Sequence, residues 1–183
     1  MKKNIKIYLC GSIKKGSSDN EKKHYWGEKE ELEIINSFGG QFEIILLNPA
    51  TIGIKRNDSY SNFGADVFLV KNSDFIFVDA RNKRGIGVGC EMIIAKYYGI
   101  PVVTLCPNET DYKKSFVEDL CGENVSNWIH PFVAGPSDFI CDDIPSAVKW
   151  MIDHLDNPKH IKNIDILEES VEYFTSKQHI DLP

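Results

Sequence analysis

Along the first 156 residues, short continuous apolar runs alternate with stretches that fit helices, and this alternation constrains the fold more than any other feature. Residues 5–10 (IKIYLC) read as a buried strand that stops at Gly11. After a Gly/Ser/Lys loop, Ser18 or Asp19 can cap a helix running to about Phe38, and Gly39-Gly40 ends it. Residues 42–47 (FEIILL) form the second strand, broken by Asn48-Pro49, and a polar loop continues to about Asn62. A helix over 64–72 leads to a strand at 75–78, a loop at 80–89 and a helix over 90–98 closed by Gly99. The fourth strand spans 100–105, followed by a predicted helix over 111–121 and strand-like runs at 128–133 and 139–141. Pro145 opens a last core helix, with Asp143 or Ile144 before it. Strand-helix alternation of this kind gives an α/β, doubly wound sandwich with a parallel sheet. Strands apolar at nearly every position agree, because parallel strands are covered on both faces.

The remaining residues, 157–183, differ. Asn157-Pro158 breaks the helix, and acidic side chains outnumber lysines beyond it. Ile164, Leu167, Val171 and Phe174 share one helical face. The chain therefore divides into a domain over 1–156 and an acidic, helical C-terminal tail. That tail either packs on its own domain or docks on a partner subunit.

Several function classes are disfavoured at once. The 183 residues carry a formal charge of -6 and a pI near 5.4, whereas gripping a nucleic-acid backbone needs a basic face. There is no run of about 18 apolar residues for a membrane span, and the start lacks a signal-peptide pattern. The expected location is cytoplasmic, with no nucleic-acid or membrane partner. Cys10, Cys90, Cys106, Cys121 and Cys141 show no Cys-x-x-Cys spacing, so free thiols in a reducing compartment are expected. The five histidines have no metal-ligand spacing, and neither a metal nor a cofactor is expected.

In an open parallel sheet, ligands sit beyond the carboxyl ends of the strands. Three loops leave such ends: 11–16, 48–62 and 80–89. The third reads Arg81-Asn-Lys-Arg-Gly-Ile-Gly-Val-Gly-Cys-Glu91. Its alternating Gly85, Gly87 and Gly89 allow close backbone approach to a ligand, just before a helix whose amides favour an anion. Glu91, expected in the first turn, is either an ordinary first-turn carboxylate kept charged by the dipole or a nucleophile. Asp66 is either a solvated helix charge or part of a site, and Asp74 is expected to be a turn or cap residue. Ser12, Lys14 and the amides from Gly11 onward suit a phosphate or form a solvated turn. Arg81, Lys83 and Arg84 form a local basic cluster, and Tyr8 is expected in the core.

The segments Tyr8-Leu-Cys-Gly-Ser-Ile-Lys14 and Gly85-Ile-Gly-Val-Gly-Cys-Glu91-Met resemble the nucleoside 2-deoxyribosyltransferase family. The likeness is greater to its hydrolytic branch, the 2′-deoxynucleoside 5′-monophosphate N-glycosidases, and covers about residues 5–156. The resemblance implies a flavodoxin-like, Rossmann-like fold with a five-stranded parallel sheet. It implies that Glu91 is the nucleophile at C1′ and that Asp66 assists departure of the base. It further implies that Gly11, Ser12 and Lys14 meet the nucleotide and that Tyr8 floors the pocket. Val125-Ser-Asn-Trp-Ile-His130 resembles a segment that crosses to a neighbouring subunit, with Ser126 at a phosphate-contacting serine. A homodimer or higher homo-oligomer is implied as well. One position departs from the hydrolase pattern. A serine expected six residues before the nucleophile is Gly85 here, so phosphate is held by the preceding Arg84 or not held at all.

The expected activity is hydrolysis of the N-glycosidic bond of (deoxy)nucleoside 5′-monophosphates through a glycosyl-Glu91 intermediate. The alternatives are base exchange between nucleosides by a deoxyribosyltransferase and a nucleotide-binding sensor without turnover. A cytokinin-type phosphoribohydrolase is a weaker reading, since its Pro-Gly-Gly turn is missing.

Overall fold

A computed structural model describes residues 2–13, 25–51 and 58–177. The five apolar runs that end their loops at Gly11, Asn48, Ala80, Cys106 and Asp142 become β1 (Asn4–Cys10), β2 (Glu43–Leu47), β3 (Phe75–Asp79), β4 (Val102–Leu105) and β7 (Phe139–Cys141). They form one parallel sheet in the order β2-β1-β3-β4-β7. All residues of β3 and β4 are buried, as expected of central strands covered on both faces. On one face Ile5, Ile7, Leu9, Phe75 and Phe77 pack with α1 (Glu28–Ser37) and α5 (Ile144–Asp156). On the other, Tyr8, Cys10, Ile76 and Val78 pack with α2 (Ser59–Lys71) and α3 (Ile86–Tyr97). The fold is therefore α/β and doubly wound, with the five-stranded parallel sheet expected.

Local chemistry sets the element ends. Asp143 caps α5 by accepting from the Ser146 amide at 2.7 Å. Gly39 and Gly99, at φ 61° and 67°, end α1 and α3 in the left-handed conformation that glycine tolerates best. Asp74 serves structure: its carboxylate accepts from the Lys6 amide at 2.7 Å and its own amide donates to the Lys6 carbonyl at 2.8 Å. It thereby ties the entry of β3 to β1.

Four expectations need correction. Residues 111–121 are not helical. β5 (Lys113–Leu120) and β6 (Glu123–Ile129) form an antiparallel hairpin, and the run 128–133 divides into the end of β6 and the short α4 (Pro131–Ala134). The apolar residues Phe116, Val117 and Leu120 fall at helical spacing. A two-stranded ribbon buries neither face fully, so it leaves no period-2 pattern. The legible signal was the turn. Cys121 and Gly122, at φ 53° and 91°, lie between the paired Leu120 and Glu123, as a two-residue hairpin loop requires. Second, α2 begins at Ser59, five residues early, because Asp58 caps it through the Tyr60 and Ser61 amides at 3.0 and 3.1 Å. Third, α3 begins at Ile86, which puts Gly87 and Gly89 inside the helix and Glu91 in its second turn. Fourth, α1 begins at Glu28 behind its extended N-cap Gly27, with Tyr25 and Trp26 outside the helix, so the first helix starts later than Ser18 or Asp19, which themselves lie outside the described residues.

The tail contains α6 (Ile166–Lys177), none of whose residues is buried. Leu167, Val171 and Phe174 remain 42–55% exposed, so this helix does not pack on its own domain. The segment before it is pinned instead. Lys162 donates from its ammonium to the carbonyls of Ala134, Gly135 and Ser137 at 2.8–3.0 Å, and from its amide to Asp138 at 2.7 Å. The buried Lys96 of α3 pairs with Asp138 and donates to the Lys162 carbonyl at 3.1 Å.

Candidate active site

Sequence order reverses between β1 and β3: the chain leaves β1 for β2 on one side and then builds outward from β3 on the other. A crevice opens at such a point beyond the strand ends. Cys10 and Gly11 leave β1 there, and Asp79 and Ala80 leave β3.

Glu91 comes to this point from α3. Tyr8 and Cys10 alternate with Leu9 along β1, so both face α2 and α3. They meet the Glu91 carboxylate, with Asp66 of α2 close enough to interact electrostatically. Burial pushes the Glu91 pKa up to about 7, the nearby Asp66 charge pushes the same way, and the proximity of the Cys10 and Tyr8 donors works against both. The expectation of a carboxylate kept charged by the helix dipole is thus corrected. Second-turn placement weakens the dipole, and desolvation outweighs it. Tyr8 is fully buried, and its phenol is held well above its ordinary range by burial and by Glu91. Its hydroxyl lies near Glu91, yet Tyr8 Oη and Glu91 Oε2 are both buried without a well-formed hydrogen bond.

The adjoining wall is ionic. Asp79, fully buried, receives Arg81 through Nε and Nη2 at 2.9 Å each, and Arg84 Nη2 lies 2.5 Å from its Oδ2. Arg81 also reaches Glu30 at 3.1 Å. The guanidiniums hold the Asp79 carboxyl below its usual range despite its burial. Arg84 further donates to Ser12 Oγ at 3.2 Å and to the Asp79 carbonyl at 2.6 Å, linking the first and third loops. The segment leading into the hairpin holds the third loop from outside, since the Arg84 amide donates to Tyr112 Oη at 2.7 Å and the Lys83 amide to Asp111 at 3.1 Å.

Of the residues singled out in the sequence, the structure gathers Tyr8, Gly11, Ser12, Asp66, Arg84, Gly85, Gly87 and Glu91 around this sheet end. Gly11 lies under Trp26, where an added Cβ would sit 3.1 Å from the ring. Gly85 is the N-cap of α3, and a Cβ on Gly87 would stand 3.8 Å from Glu91 Oε1. Gly89 faces the other side of the helix. Ser126 is exposed on β6 opposite Phe116 and is not brought to the site within one chain. Lys14 lies outside the described residues. Asp79 and Tyr112 were not identified from sequence. For Asp79 a signal existed, a carboxylate ending an otherwise apolar central strand (FIFVD).

A cavity of about 720 Å³ among the described residues is not lined by Glu91. It lies along the other side of α3, facing Tyr112 and His130 at the base of the hairpin and Phe132 of α4, and it shares Arg84 and Gly85 with the sheet end. The helix separates the two, with Gly87 and Glu91 facing one way and Ile86, Gly89 and Ile93 the other. A smaller cavity of about 160 Å³ runs between Gly11, Ser12, Trp26 and Asn48 at the ends of β1 and β2.

No family model matches this sequence, and no curated protein matches it. Among solved structures it is similar to a 2-desoxiribosyltransferase from Leishmania mexicana, with 14% identity and a TM-score of 0.54 over 82% of this chain and 98% of that one. It is also similar to a 2-deoxyribosyltransferase from Bacillus psychrosaccharolyticus, with 15% identity and a TM-score of 0.49 over 86% and 98%. At this identity the first likeness establishes a shared fold, the doubly wound sandwich seen in the 2-deoxyribosyltransferase of Leishmania mexicana.

Proposed function

We propose that this protein cleaves the N-glycosidic bond of (deoxy)nucleoside 5′-monophosphates by covalent catalysis at Glu91, releasing base and sugar phosphate. The supporting observation is a partly buried carboxylate at the switch point of the sheet, flanked by Tyr8, Cys10 and Asp66. Ionised Glu91 attacks C1′ as the C1′–N bond breaks, and the bond's electron pair leaves with the base. Asp66 assists that departure by delivering or relaying a proton. The oxocarbenium-like state gains from the adjacent anion, and more so in a low-dielectric pocket. Water then opens the ester. The deoxyribosyltransferase from Leishmania mexicana with this fold, and the resemblance of the Gly11 and Gly85 loops, raise the weight of this chemistry.

One observation favours a second reading, base exchange on unphosphorylated nucleosides. Only 2% of the Arg84 side chain is exposed, and Asp79 occupies its guanidinium. Across the cluster two guanidiniums face two carboxylates, Asp79 and Glu30, leaving little net charge for a phosphate. We further propose a homodimer, in which a second copy covers the apolar rim formed by Ile86, Phe132 and Phe63.

The test is product analysis on nucleosides and 5′-monophosphates, with and without an acceptor base, using wild type and Glu91→Ala. Free base from monophosphates in water supports the hydrolase. Product only with an acceptor base supports exchange. Turnover retained by a folded Glu91→Ala protein refutes both. Tight binding without product would indicate a nucleotide sensor instead.

A further inference from the structure

Beside Glu91 stands a thiol that this chemistry has left unused. Cys10 closes β1 and is fully buried, with its Sγ 3.8 Å from the Val88 carbonyl in the first turn of α3. The same thiol is within hydrogen-bonding reach of the Glu91 carboxylate. A thiol carries one proton and serves one acceptor at a time. In this geometry its bond goes to Val88, and Glu91 Oε2 is buried without a partner.

We infer that Cys10 is a positioning residue for Glu91, its S–H turning from the Val88 carbonyl to donate to the carboxylate when Glu91 is charged and turning back when the charge is discharged, the proton staying on sulfur throughout. The inference rests on the reading of Glu91 as nucleophile. In that step a Glu91 oxygen bonds C1′, the C1′–N pair leaves with the base, and the carboxylate becomes a neutral ester. An ester is a weaker acceptor than a carboxylate, so the proton's preference reverses at the right moment. Such an exchange keeps a buried anion partnered only while it is an anion.

The remaining groups around the pair are accounted for. Tyr8 from β1 and Asp66 from α2 also face Glu91, one as a donor and one as a like charge. Asp79 from β3 and Arg84 from the third loop act on Cys10 with opposite signs. None of them is altered by changing Cys10, so substitutions there isolate the thiol. Ordinarily a buried cysteine is a small packing residue. Packing alone predicts that serine and alanine act alike on Glu91, whereas a donor role predicts opposite effects.

The test is the titration of Glu91 itself, followed by ¹³C NMR of protein labelled at glutamate carboxyls. Its resonance is assigned by its loss in Glu91→Gln. Cys10→Ser installs a stronger donor in nearly the same volume and is expected to move the midpoint down by about half to one pH unit. Cys10→Ala removes the donor and is expected to move it up by a similar amount. The acid limb of kcat/KM should follow in each variant. Midpoints that stay put, or that move together, overturn the inference. If one variant fails to fold, the direction shown by the other decides. Absence of turnover in wild type would overturn the functional reading separately, while the titration still reports on the contact.

Discussion

Replacing Glu91 by glutamine is expected to stabilise the protein in alkaline solution while abolishing turnover. The glutamate carboxyl ordinarily titrates at 4.5, and here burial first, then Asp66, pushes it up to about 7. Because the folded value lies above the unfolded one, the protonated side chain's contribution is complete below the unfolded value. It is lost progressively as pH rises towards the folded value, and stays lost above it. A rise of about 2.5 units at 1.36 kcal/mol each makes that loss about 3 kcal/mol. Glutamine is neutral at every pH and nearly isosteric, so it escapes the loss. Urea denaturation of wild type and Glu91→Gln at several pH values measures the difference. The two should be nearly equally stable below about pH 4.5 and diverge up to pH 7. Above that, glutamine should lead by roughly 1–2 M in midpoint, given ordinary m-values. A constant difference across pH, or a glutamine variant that is less stable at pH 8, would refute the reasoning. It would mean that Glu91 is solvated or paired more firmly than the geometry indicates.

Three other outcomes are expected. The kcat/KM of wild type should fall about tenfold per pH unit below about pH 7, and Asp66→Asn, which removes the like charge, should move that limb to lower pH while slowing the plateau rate. Gly11→Ala should cost about 1–3 kcal/mol in chemical denaturation, because the new Cβ meets Trp26 at 3.1 Å while the indole is held by its bond to the Cys10 carbonyl. Lys162→Met should cost about 2 kcal/mol and raise hydrogen exchange across 134–138 and 157–165, since it leaves the Ala134, Gly135 and Ser137 carbonyls unpaired.

Sheet and site were not equally legible in the sequence. The strands could be read because β3 and β4 are apolar throughout, a pattern that a two-sided parallel sheet demands. The strands of the hairpin could not, because a half-exposed ribbon with a bulge between Val117 and Leu120 imitates helical spacing, and only its turn carried a signal. For the site, Tyr8, Cys10 and Glu91 stand in short motifs that flag strand ends, and two-residue periodicity places Tyr8 and Cys10 on one face. The electrostatics were hidden. Whether Glu91 is charged depends on Asp66 and on burial by β1, neighbours far away in sequence that only the fold assembles. Arg84 shows the same limit. Sequence leaves it as a phosphate ligand or a solvated loop residue, and the partner that occupies it, Asp79, ends a strand where sequence suggested only core.

The central claim is a covalent bond between Glu91 and the sugar. Mass spectrometry of protein quenched in acid during turnover of a 2′-deoxynucleoside or its 5′-monophosphate tests it most directly. The account predicts a sugar adduct on the peptide that carries Glu91, absent from Glu91→Gln. Steady product release with no adduct, or an adduct on another residue, would contradict it.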